Sequence, residues 1–349
     1  MQSLAAVTDT IEREIAAAAR AICRSEVRAV RPVRGGANNR VFRVDTVAGP
    51  FALKVYPRQA DDPRDRLGAE FDGLRFLESH HVNEVPKAIS RDRAAGMGLY
   101  EWIDGDPILS PTPADIDAAG DLAQKLEILS RDDSASRMPQ ASEASLSGAA
   151  VVSQIERRFD RLREASESPD LPDFLDYQFQ PYLEAAKKIA REGYHRAGWD
   201  FERDIAPPLR TLSPSDFGFH NALRNRDGKV VFVDFEYFGW DDPVRLLADF
   251  LLHPGMTLDR AAKAHFAGRA FVAFGNDVDF RRRLDLLYPL IGLRWGVILL
   301  NEFLPERWER RTLAGAGEER GRAQAKQLDK ARRLLDRLRK PEPGLFDAR

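Results

Sequence analysis

The hydrophobic pattern of this chain changes period twice, and few folds accommodate both changes. After an amphipathic helical stretch at residues 8–24, the apolar residues from about 27 to 56 fall in short alternating runs, VRAVRPV, RVFRVDTV and FALKVY. Such runs line one face of a strand. A helix to about residue 79 follows, with Asp62 and Pro63 standing where an N-cap and a first-turn proline belong. GMGLYEWIDG (96–105) reads as a further strand. After residue 104 the spacing is helical, at about 113–130, 150–167, 174–196, 258–274, 280–304 and 317–339. It lapses once, over residues 211–243, where apolar runs flank Asp227-Gly228, a strong hairpin signal. The pattern predicts an α+β chain: a small β-rich part with one helix, then a larger, mainly helical part that carries a β-hairpin. The Ser- and Ala-rich stretch SRDDSASRMPQASEASLSG, between the first two of these helices, is weakly patterned and is expected to be a mobile surface loop.

Composition narrows the function classes. A net charge of −2 gives no broad basic footprint, so nucleic acid is not expected as a partner. The lone Cys23 excludes an internal disulfide, no Cys/His cluster suggests zinc, and a reducing cytoplasm fits. The first residues mix acids and bases and do not read as a signal peptide. The longest apolar-rich segment, 286–304, carries Arg294 and Glu302, so a buried helix is expected there and no membrane association.

Three groups of residues carry chemistry. Lys54 sits in FALKVY, where a lysine alone would be an ordinary solvated residue. In the next helix, however, Leu67, Glu70, Leu74 and Leu77 share one stripe, which places a carboxylate among apolar residues. That is costly unless a cation meets it, and Lys54 is the natural partner. Kinases use such a strand-lysine to helix-glutamate pair to hold the lysine against the α- and β-phosphates. Second, Gly35 and Gly36 lie between two strands, with Gly36 18 residues before Lys54, where a backbone loop over phosphates belongs. Asn38 and Asn39 beside them are turn residues or polar contacts. Third, Asp216 is followed five residues later by Asn221, then by Asp234 at the end of VVFV. A general base followed by two oxygen donors for Mg²⁺ is what phosphoryl transfer requires. Asp216 could otherwise cap a turn, and Asp234 could simply end a strand.

GGANNRVFRV, FALKVY and VDFEYFGWDDP resemble the aminoglycoside phosphotransferase and choline/ethanolamine kinase superfamily over about residues 30–304. The resemblance implies a protein-kinase-like bilobal fold: a nucleotide-binding lobe at 1–103 and a helical lobe at 104–349 with the catalytic loop, metal site and acceptor site. It implies ATP in the cleft between lobes, Lys54 and Glu70 on the phosphates, Asp216 as catalytic base, and Asn221 and Asp234 on Mg²⁺. Glu236 is a further metal candidate, directly or through water, and Glu101, Trp102 and Ile103 form the hinge that meets adenine. The sequence departs from the family at Pro214, where a loop-organising histidine is usual, and His220 is read as a packed or surface residue, not a substitute. No Ala-Pro-Glu segment follows Asp234, which argues against a protein kinase.

The expected activity is ATP- and Mg²⁺-dependent phosphorylation of a hydroxyl on a small acceptor: an amino alcohol, an aminoglycoside-like compound or a sugar. A cationic acceptor would favour acidic and aromatic residues, and the candidates are Trp240, Asp241, Asp242, Trp295 and Glu302, although Asp242-Pro243 also reads as a turn and Trp295 as core. The alternative is a pseudokinase-like protein that binds a nucleotide or metabolite without turnover, with Pro214 as its best support.

Overall fold

The computed structural model describes residues 15–33, 40–56, 64–165, 170–308, 319–340 and 346. The chain divides into two compact units, Met1–Pro107 with Asn221–Phe238, and Ile108–His220 with Gly239–Arg349.

In the first unit, helix α1 (15–22) precedes an antiparallel sheet of β1 (Val27–Val33), β2 (Arg40–Thr46), β3 (Gly49–Val55), β4 (Ala88–Asp92) and β5 (Met97–Glu101), in the order β1-β2-β3-β5-β4. The period-two pattern sorts its two faces. Phe42 stands opposite Leu53, and Leu53 opposite Leu99; with Val44 they pack on Ile15 and Ala19 of α1. Lys54 points to the other face, between Val41 and Gly98 on the flanking strands. A side chain at Gly98 would come within 2.4 Å of the Tyr100 hydroxyl, so the missing Cβ keeps that face open for the lysine's neighbours. Helix α2 (Arg66–Ser79) starts later than the sequence suggests: Asp65 is the cap, accepting from the Gly68 N–H, while Asp62 and Pro63 lie outside the described residues.

The Asp227-Gly228 hairpin forms as expected, between β8 (Ala222–Asn225) and β9 (Val230–Phe232), with Gly228 at φ 78°. The strand β6 (Gly105–Pro107) pairs with β8, and the Phe232 N–H donates to the Glu84 carbonyl, which ties Asn221–Phe238 to the first unit.

The second unit is helical: α3 (Pro113–Leu129), α4 (Gly148–Glu164), α5 (Asp170–Phe174), α6 (Gln180–Ala197), α7 (Pro243–Leu252), α8 (Arg260–Ala273), α9 (Phe280–Leu299) and α10 (Arg320–Arg339). A π-turn, Leu175–Phe179, joins α5 to α6. Helix α9, the apolar segment, packs against α4, α6, α7 and α10. Arg294 on it is buried against Asp249 of α7. A two-stranded sheet pairs β7 (Thr211–Ser213) with β10 (Gly239–Asp241). The stretch expected to be a mobile loop is anchored instead. The Trp240 indole donates to the Ala135 carbonyl, the Ser145 N–H to Asp241, and Arg245 to the carbonyls of Ser142 and Glu143. Ala135, Ser145 and Leu146 of this stretch are buried.

Candidate active site

In the first unit, Lys54 Nζ lies 2.6 Å from Glu70 Oε2 and 2.5 Å from Asp234 Oδ1. The pairing with Glu70 is the one the sequence demands; the second partner, Asp234, comes from far along the chain. The Tyr56 hydroxyl donates to the same Glu70 oxygen at 2.6 Å and meets the Tyr100 hydroxyl, while the Phe235 N–H donates to the other oxygen at 3.3 Å. Glu70 is thus held from three directions and in turn holds the lysine. Burial works against the charge on Lys54, but Asp234, Glu70 and Glu236 outweigh it and raise its pKa, so it stays an ammonium.

Asp234 sits at φ 69°, a left-handed conformation rare for a residue with a side chain, and its carboxylate is a third exposed. A strained, charged and accessible carboxylate marks a place where geometry serves something other than packing. Asn221, whose carbonyl accepts from the Val233 N–H, belongs to the same unit and closes a single 3₁₀ turn. Hard oxygen donors of this kind suit Mg²⁺, and the accessible Asp234 with Asn221 fits such an ion. Glu236 fits less well: it is 2% exposed and Arg66 lies 3.4 Å from it. At the segment expected to be a hinge, Glu101 accepts from the Lys87 N–H and Arg43 lies over the Trp102 ring; Ile103 is half-buried. Gly35, Gly36, Asn38 and Asn39 lie outside the described residues.

In the second unit, Asp216 is met by two histidines. His220 Nε2 is 3.0 Å and His253 Nε2 3.2 Å from its Oδ1, and the two rings stack 3.5 Å apart. His220 is therefore not merely packed, as its sequence position suggests, and His253, at the end of α7, has no signal in the sequence. Ser215, immediately before the aspartate, sits at φ 67°; Ser213 Oγ accepts from its N–H, and the Pro214 carbonyl accepts from the Asp216 N–H. These bonds organise the loop that Pro214 puts in question. Burial opposes the charge on Asp216, yet the two histidine bonds hold its carboxyl well below the ordinary range.

The ligand atoms of these three side chains lie within 4.8 Å of one another, close enough to suggest a metal. The tautomer argues against it. His253 Nδ1 accepts from the Gly255 N–H at 3.0 Å, so the neutral ring carries its proton on Nε2 and donates to Asp216. Binding a metal through Nε2 would put a proton on Nδ1, facing another donor.

The residues suggested for a cationic acceptor are mostly engaged in structure. Asp241 is fully buried, bonded to Arg245 at 2.7 Å and to the Ser145 N–H. Asp242 is 1% exposed, caps α7 through the Val244 N–H, and receives Arg283 at 3.0 and 3.2 Å. The Trp295 indole donates to Asp249 at 2.7 Å, and Trp240 is tied to Ala135. The Glu302 carbonyl accepts from Gln324. Two acids that pass for a cation site in the sequence are counter-ions of buried arginines.

A family model described as the phosphotransferase enzyme family matches residues 29–287. No curated protein matches the chain in sequence. Among solved structures, a choline kinase from Streptococcus pneumoniae is similar at 15% identity, covering 95% of this chain and 99% of that one, with a TM-score of 0.57. An ethanolamine kinase of Plasmodium vivax is similar at 12% identity, covering 95% of this chain and 89% of that one, with a TM-score of 0.57. A spectinomycin phosphotransferase crystallised with ADP and spectinomycin reaches a TM-score of 0.62 at 12% identity, covering 92% and 98% of the two chains. At these identities the structural likeness establishes the fold.

Proposed function

The chain belongs to the phosphotransferase enzyme family, and from that footing we propose that it is an ATP- and Mg²⁺-dependent kinase acting on a hydroxyl of a small molecule. The observation that carries this reading is the bridged lysine. Lys54, held between Glu70 and Asp234, is the cation that would steady the nucleotide's phosphates, and Asp234 with Asn221 would hold the metal. The ion supplies charge neutralisation on the phosphate oxygens when bound. Asp216 serves the acceptor: it orients the hydroxyl and takes its proton as the oxygen bonds to the γ-phosphorus and the bond to the β-phosphate oxygen breaks, releasing ADP. Its low proton affinity suits this, since a loose transition state asks for positioning more than for a strong base.

Pro214 is the feature behind the second reading, a nucleotide-binding protein without turnover. His220 and His253 weigh against it, because they supply Asp216 with two donors from outside the usual position. The test is ADP release from ATP and Mg²⁺ with a broad panel of hydroxylated metabolites. Nucleotide binding without transfer to any of them would favour the second reading.

A further inference from the structure

We propose that the acceptor is an anion, a hydroxyl compound bearing a phosphate or carboxylate, bound in a basic cavity of the second unit; this rests on the kinase reading above. The cavity holds about 500 Å³, within the usual range for small-molecule sites. Its lining includes Lys263 from α8 and Lys330, Arg333 and Arg337 from α10, and among the described lining residues Asp285 is the one carboxylate. Arg333 pairs with Asp329. Setting Lys263 and Asp285 aside, Lys330 and Arg337 remain available to an anionic ligand.

The cavity is tied to the chemistry by His253, which lines it and also bonds Asp216 at 3.2 Å. A molecule seated there lies next to a residue that touches the base. Choline-like and aminoglycoside-like cations call for carboxylates or aromatic cages, and the surplus of positive charge on this wall would repel them. Meanwhile the acids suggested for a cation, Asp241 and Asp242, are occupied by Arg245 and Arg283. Tyr288 on the wall offers a flat surface for a ring or carbon chain. The charge points to an anionic group at the α10 side.

The experiment is a calorimetric titration of the full chain, first saturated with Mg²⁺ and a non-hydrolysable ATP analogue so that the nucleotide phosphate site is filled. The probes are glucose 6-phosphate, gluconate, glucose and choline. An anionic probe is expected to bind, with glucose and choline far weaker, and the phosphate and carboxylate arms identify which anion fits. Lys330→Ala and Arg337→Ala should each weaken that binding by about tenfold or more, as expected for losing a hydrogen bond to a charged group. Both residues lie at least partly exposed on α10, so unchanged melting temperatures check that the variants fold. Choline binding best, no anion binding, or anion binding indifferent to both substitutions would each overturn the proposal. The kinase reading has its own readout, ADP release across the panel, so transfer to a cationic acceptor would sink the anion site and leave the kinase standing.

Discussion

His253 Nε2 donates to Asp216 Oδ1 at 3.2 Å while its Nδ1 accepts from the Gly255 N–H. One backbone amide, at the turn that ends α7, thereby fixes which ring nitrogen carries the proton and keeps it aimed at the carboxylate. With Pro214 at the usual position of a loop histidine, the donors arrive from later in the chain: His220 from within the loop and His253 from the end of a helix.

That tautomer has a pH signature. Burial pushes the pKa of His253 below its ordinary value, with the Asp216 bond only partly offsetting it. The unfolded chain, with a pKa near about 6.5, then binds the proton more readily than the folded one, so this residue makes stability fall as pH drops below about 6.5. His253→Gln keeps an N–H donor and does not titrate. Its urea midpoint should vary less between about pH 7 and 5 than that of wild type, and its transfer rate should exceed that of His253→Ala. Parallel pH trends in wild type and variant would remove His253 as the titrating group.

Lys54→Met should damage both binding and fold. It strips the cation from Glu70, whose side chain is 4% exposed, and breaking a buried pair costs about 3–5 kcal/mol. Because Asp234 is a third exposed, its share is screened and the lower end of that range is expected. A melting scan and an ATP titration check this; if both stay at wild-type values, the lysine is not the clamp proposed.

The Lys54–Glu70 pair was legible because a carboxylate in a leucine stripe asks for a cation wherever the fold puts one. Asp234 as the lysine's second partner was not, since nothing local links a strand residue to an aspartate so far along the chain. His253 has no sequence signal because α7 has none: all ten residues of PVRLLADFLL are buried, so no polar face betrays the helix. Asp241 and Asp242 looked like ligands for the opposite reason. Their partners, Arg245 and Arg283, are recognisable only once α7 and α9 are packed.

Asp242→Ala should therefore act on stability and spare acceptor recognition. It removes the cap of α7, worth about 1 kcal/mol, and leaves Arg283 buried beside Asp277 alone. The expected outcome is a melting temperature lowered by several degrees with little change in the acceptor KM of the folded fraction. A raised KM at unchanged stability would return Asp242 to the acceptor site.

Metal dependence separates the roles of the oxygen donors. Asp234→Ala and Asn221→Ala should each raise the Mg²⁺ concentration needed for half-maximal activity, Asp234 more because it carries the charge. Glu236→Gln should move it least, since that carboxylate is buried whereas that of Asp234 is a third exposed. Curves that superimpose for all three variants would take the metal away from this segment.

Asp216→Asn tests the base itself. The substitution keeps the size and an oxygen that can still accept from His220 or His253, and it removes the charge that, in the proposed mechanism, orients and deprotonates the acceptor. On the proposed reading nucleotide binding uses residues of the first unit and should persist, while transfer should fall by about 10²-fold or more, the usual consequence of losing a general base. Paired measurements decide it: calorimetry with ATP analogue and Mg²⁺, and product formation with an acceptor found by the panel. An asparagine variant that transfers as fast as wild type would show that the two histidines converge on a carboxylate with no part in the chemistry, and the base would have to be sought elsewhere.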